Sequence, residues 1–206
     1  METKEKLINA IKMQIVQEEK GNKVYLLPPD LARNFSAYLL LHEDIKFVIR
    51  ITNKLIELKN KNPNQEDEQT IYKGMWIAAI ISYCKCFTGG IVKLDANECF
   101  KSNDTSLKAT HELLMNIRNS WIAHRDDSVY EHAIAYFKFE GKGNTSYHIK
   151  SLSATTNTRE ILEQYLKLFS HVDGIVIKMI EEKGKKIHEN RISKMRGALL
   201  SNLILK

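Results

Sequence analysis

Arg118, Asn119 and His124 are the residues whose types and spacing best suit chemistry, the histidine lying six residues beyond the arginine. Together they suit the cleavage of an RNA phosphodiester. That reaction needs a base to take the proton of a ribose 2′-hydroxyl and an acid to protonate the leaving oxygen. It also needs a cation beside the charged phosphate. Histidine titrates near neutrality and serves as either acid or base. Arginine grips phosphate oxygens as a planar fork. Asn119 supplies an amide that orients the histidine or the phosphate. The scheme needs no metal ion, and no cofactor is expected. Spacing alone is a weak signal, because arginine and histidine fall six apart by chance in many proteins. The plainer reading is a helix C-terminus, where cationic His124 and Arg125 would stabilise the dipole by about 0.3–1 kcal/mol.

Three further residues are candidates for substrate binding: Lys85, His111 and Arg125. Lys85 reaches the same cleft if the helices on either side of Gly89-Gly90 pack antiparallel. Its ordinary reading is an exposed lysine. His111 begins a line of helical steps, His111, Met115, Arg118 and Ile122, and reads equally well as a satisfied polar residue beside the core. Asp126 and Asp127 can pair with Arg118 or Arg125, or cap the following turn. Trp121 continues the apolar stripe of its helix and reads as core before it reads as a base-stacking platform.

Helical geometry sets a condition on the pair. Six residues at about 100° each leave Arg118 and His124 about 120° apart on an ideal helix. The two converge only if the helix ends near His124, or if a second copy of the chain brings its own pair. Arg125-Asp126-Asp127-Ser128 supplies such a break.

The elements that position these residues are mostly helices. Glu2 to Glu19 is amphipathic, with Leu7, Ile8, Ile11 and Ile15 at helical steps, and Gly21-Asn22 ends it. Pro28-Pro29-Asp30 opens a long helix reaching about Lys59. Asn60 to Asn64 is a polar break with a proline. Glu66 to Phe87 is the third helix, apolar on most sides through Met75–Ile81 and so expected in the middle of a bundle. Ile91 to Ser102 reads as a loop-like connector. Asn103-Asp104-Thr105 caps a helix running to about His124, with Leu107, Leu114, Ile117 and Trp121 facing the core. Residues 129–152 change to a period of two around Gly141–Asn144, a β-hairpin pattern. Arg159 to about Lys183 is the last long helix. From Lys178 to Lys206 the chain is basic, with seven Lys/Arg against three Glu between Lys178 and Arg196. That stretch reads as a solvated helical face, or more sharply as an electrostatic surface for RNA or a partner protein.

Composition bounds the rest. The chain has 206 residues, 43% hydrophobic and 27% charged, which suits a single globular domain with a real core. A net charge of +6 makes a polyanionic partner such as nucleic acid more plausible. Cys84, Cys86 and Cys99 are an odd set without a disulfide framework. One residue between Cys84 and Cys86 is too few for a zinc half-site, so no metal centre is expected. The N-terminal residues have no apolar core of a signal peptide, and Met75–Tyr83 is far shorter than a membrane span. A cytoplasmic protein with no membrane partner is expected.

The segment Leu113-Leu114-Met115-Asn116-Ile117-Arg118-Asn119-Ser120-Trp121-Ile122-Ala123-His124 resembles the signature of the HEPN superfamily (higher eukaryotes and prokaryotes nucleotide-binding). That signature is arginine, a polar residue that is often asparagine, a few further residues and histidine, late in an apolar helix. Arg118, Asn119 and His124 match it residue by residue, and Tyr83 to Gly90 also looks familial. The resemblance covers Glu66 to Asp127 well and the flanking helices by general pattern. It implies a mainly α fold: an up-down four-helix core, elaborated here by the β-hairpin and by terminal helices. It implies a metal-independent endoribonuclease, a toxin or phage-defence effector, that dimerises so two motifs line one cleft. An antitoxin protein would be a further partner. Other members have lost activity and serve as modules binding nucleotide, RNA or a partner protein, which is the second expectation.

Overall fold

The computed structural model describes residues 2–19, 27, 29–60, 66–101, 105–122, 131–139, 145–153 and 157–189. Among them the chain is mainly helical. Helix α1 spans Glu2–Glu18, α2 Pro29–Asn60, α3 Glu66–Thr88, α4 Ala96–Cys99, α5 Thr105–Ile117 and α6 Arg159–Ile187. A π-helical turn, Arg118–Ile122, follows α5 directly. The backbones of Glu131–Phe139 (β1) and Thr145–Ser153 (β2) run antiparallel, with Glu131 opposite Ser153 and Phe139 opposite Thr145. The expected breaks at 21–22, 61–64 and 141–144, the cap at 103–104, and Arg125 to Ser128 lie outside the described residues.

The chain divides into two compact units, Met1–Leu39 with Lys178–Lys206, and Leu40–Ile177. In the first, the Lys183 ammonium stands 5.7 Å from the centre of the Tyr38 ring. Phe35 lies against Gly184 of the same unit, where a Cβ would make ordinary contact.

The second unit holds the core around which the motif helix packs. Leu41, Ile45, Val48, Thr52 and Leu55 are buried on α2. Their steps of four and three put them on one face. Thr52 turns its hydroxyl back to the Val48 carbonyl at 2.8 Å, so its burial leaves no orphan donor. Leu162, Tyr165, Phe169, Val172 and Val176 repeat the same steps on α6. Tyr72, Ile80 and Tyr83 come from α3, and Leu114 and Ile117 from α5. Each fully buried aliphatic or phenyl side chain contributes about 1.5–3 kcal/mol of transfer free energy. Thr158 starts α6: its hydroxyl accepts from the Ile161 N–H at 3.4 Å, and its carbonyl from Leu162 at 3.2 Å.

The connector after α3 is more ordered than its sequence suggests. It contains α4, one turn of helix, with Asp95 at its N-cap accepting from the Asn97 N–H at 2.8 Å. Gly90 adopts φ +118°, a left-handed conformation that suits glycine, just after α3 ends. Leu94 then donates its N–H to the Cys86 carbonyl at 2.8 Å, folding the connector back on α3. Leu94, Cys99 and Phe100 are buried. Three apolar anchors plus a capped turn outweigh the loop-like polarity of the intervening residues. No helix among the described residues is long and apolar enough to cross a membrane.

Candidate functional site

Helices α3 and α5 fix the position of Arg118. The Tyr83 hydroxyl and His111 Nδ1 are 2.8 Å apart, and the Cys84 thiol donates to the Leu114 carbonyl at 3.6 Å. Phe87 packs against His111 with the rings tilted by 56° and their centres 4.5 Å apart. Residues rise along α3 as they fall along α5, so the two helices are antiparallel. One further turn brings Ile80 and Ile81 level with Ile117 and Arg118.

At Arg118 the regular helix gives way to the π turn. Its wider i→i+5 hydrogen bonding changes the angular step per residue, and such turns occur often at functional sites. The angle of about 120° calculated for a regular helix therefore does not govern the segment beyond Ile117. The helix expected to run to about His124 is α-helical to Ile117 and continues as the π turn to Ile122, and His124 lies outside the described residues.

Arg118 is half-buried and donates from Nη1 to the Oδ1 of exposed Asn119 at 2.8 Å. The bond leaves the Asn119 amide N–H groups and the remaining guanidinium N–H groups as donors. No carboxylate lies within ion-pair distance of Arg118 among the described residues. Its charge is felt at Cys84: burial pushes that thiol up to about 12, and the Arg118 cation opposes the rise. Cys86 and Cys99 are raised by burial to about 12 and about 11. All three thiols stay protonated at neutral pH and are poor nucleophiles.

The other candidates are placed differently. His111 is buried, hydrogen-bonded to Tyr83 and enclosed by Phe87 and by Phe100, whose ring centre is 4.9 Å away. Burial holds its pKa below the ordinary histidine value, against an opposing pull from Glu112. Lys85 is exposed and forms an ion pair with Asp44 of α2 at 2.8 Å. The structure thus brings Arg118 and Asn119 together, sets His111 in the core and ties Lys85 to α2. His124, Arg125, Asp126, Asp127, Tyr130 and the 190–206 segment lie outside the described residues, and the side chain of Trp121 is likewise not described. Tyr83 and Asp44 were missed in the sequence, since their partners lie 28 and 41 residues away. No protein-family model, curated protein or solved structure matches this chain.

Proposed function

We propose that this protein is a metal-independent endoribonuclease of HEPN type. In this reading Arg118 holds the scissile phosphate, Asn119 orients it and His124 acts as general acid and base. The observation that carries the reading is the Arg118–Asn119 pair. A half-buried guanidinium, braced by an amide oxygen and lacking a carboxylate partner among the described residues, keeps donors for an anion. The π turn that carries it is a second support. The up-down four-helix core and the β-hairpin over 129–152 belong to the same proposal. So do a role in toxicity or phage defence and an antitoxin partner.

A homodimer is part of this reading, and one surface supports it. On α2, Leu40, Asp44 and Phe47 share a line at helical steps, and on α3 Ile81 and Lys85 do the same. The Asp44–Lys85 ion pair joins the two lines, so they form one face. Leu40 is 67% exposed, Phe47 40% and Ile81 45%. Three bared apolar side chains around one acid and one base make a self-complementary patch. A two-fold axis through it sets each copy's Asp44 opposite the other's Lys85. Ile81 is also level with Arg118, so such a dimer brings two Arg118 turns toward one cleft.

The test is cleavage of a panel of structured and single-stranded RNAs with a chelator present. Wild-type protein is expected to cut, His124→Ala to lose about 10²–10⁴-fold in rate, and Arg118→Ala to lose cleavage with weakened RNA binding. Absence of cutting by wild type across the panel, with RNA still bound, would move the protein to the non-catalytic binding class.

A further inference from the structure

Two polar side chains end in the interior without a partner. Tyr72 of α3 is 6% exposed, and Asn157, just ahead of α6, is 7% exposed. The Tyr72 hydroxyl and the Asn157 side-chain nitrogen are buried, and neither has a hydrogen-bond partner among the described residues. Buried polar atoms are nearly always satisfied, so two unpaired donors in one core need a shared explanation.

Helical register puts them at one level. α2 and α3 run antiparallel, with Asp44 paired to Lys85 and the Lys59 ammonium 6.0 Å from the centre of the Tyr72 ring. α3 and α6 run parallel. The Tyr83 and Phe169 rings are 4.8 Å apart, and His42, level with Phe87 in that antiparallel register, stands 2.9 Å from Asp173. Tyr72 lies eleven residues before Tyr83, and Thr158 eleven before Phe169. Eleven residues make about three turns, or about 16 Å, and return to within about 20° of the same direction. Tyr72 therefore points toward α6 as Tyr83 does, at the level of Thr158 and its neighbour Asn157.

The chemistry at that level is all donor. Burial raises the Tyr72 phenol above its ordinary pKa, so it keeps its proton. The Asn157 amide brings two N–H groups. Lys59 is half-buried, and no carboxylate of a described residue lies within ion-pair distance of it. Of the carboxylates near in sequence, Glu57 is bonded to Lys54, Glu160 to Thr158, and Glu68 is exposed. A water would satisfy the hydroxyl and the amide, whereas an oxyanion also answers the charge.

We propose that a small oxyanion, a carboxylate or a phosphate, binds between α3 and α6 at this level, held by the Tyr72 hydroxyl, the Asn157 amide and the Lys59 ammonium. The site is separate from Arg118, whose level on α3 is more than two turns away. It does not rest on the ribonuclease reading.

The test titrates inorganic phosphate and, separately, acetate into the full chain carrying Arg118→Ala, which removes the motif's own phosphate holder. Chloride at matched ionic strength is the control. The reporter is the Asn157 side-chain amide resonance, assigned by its loss in Asn157→Ala. It is expected to shift saturably with phosphate, with acetate or with both, and the anion that saturates at lower concentration identifies the source. The midpoint is expected to rise at least tenfold in Tyr72→Phe and in Lys59→Gln. Tyr72→Phe removes a hydroxyl without an internal partner, so thermal stability in the absence of oxyanion is expected to stay at or above that of the starting chain. A loss of stability there would reveal a partner within the chain and overturn the proposal. No saturable shift with either anion would overturn it as well. Saturation unchanged by both substitutions would mean an adventitious ion only, with the same consequence.

Discussion

His111 shows how far a residue's role depends on what encloses it. On sequence it is a histidine near an RNA-cutting motif, open to two readings. In the fold its Nδ1 is hydrogen-bonded with the Tyr83 hydroxyl among aromatic rings. Burial lowers its pKa from 6.5, so the unfolded chain binds the proton more readily than the folded one. The stability it contributes is present above about pH 6.5 and falls as pH drops through that value toward the folded pKa. His111→Phe with Tyr83→Phe removes both the titration and the hydrogen bond while keeping the rings. In urea denaturation the wild type is expected to lose its margin over this double variant between pH 7.5 and 5.5. A margin that does not change with pH would show that His111 is not the titrating group. Tyr83→Phe alone removes the hydrogen-bond partner of Nδ1 and is expected to cost about 1–3 kcal/mol.

At the scale of elements, apolar periodicity made the long helices legible. The start signal Pro28-Pro29-Asp30 and the third helix from Glu66 to Phe87 agree closely with α2 from Pro29 and α3 from Glu66 to Thr88. Two features were hidden. The turn of helix in the connector depends on Leu94, Cys99 and Phe100 reaching a core that no local pattern reveals. The π turn depends on a choice between i→i+4 and i→i+5 bonding, and residue type biases that choice only weakly. The motif residues Arg118 and Asn119 were legible by type, while their mutual bond and the antiparallel register with α3 required the fold. The π turn has its own test. Deleting Ser120 removes the extra residue that an i→i+5 ring takes up and restores regular spacing. Helix content by circular dichroism is expected to stay near wild type, while RNA cleavage is lost because Arg118 and Asn119, inside the turn, leave the positions that the wider ring gives them. Cleavage at wild-type rate would mean that the turn does not position the site.

The whole molecule poses the question of how many copies make one site. A single chain offers one Arg118 turn and the bared strip of Leu40, Phe47 and Ile81 around the Asp44–Lys85 pair. A charge placed in the strip should separate assembly from chemistry, because the strip contains none of the motif residues Arg118, Asn119 and His124. Ile81→Asp in an exposed position is expected to leave folding intact, since surface substitutions usually change stability by less than about 0.5 kcal/mol. It also sets a new carboxylate opposite its own copy across the two-fold axis, where like charges repel. Analytical ultracentrifugation is expected to show a dimer for wild type and a monomer for Ile81→Asp, with RNA cleavage falling in parallel. Charge exchange is the stricter control: Asp44→Lys and Lys85→Asp should each weaken the dimer, and mixing the two should restore it. A monomeric wild type that cuts RNA would place the whole site in one chain. A dimer unmoved by all three substitutions would place the interface on another face.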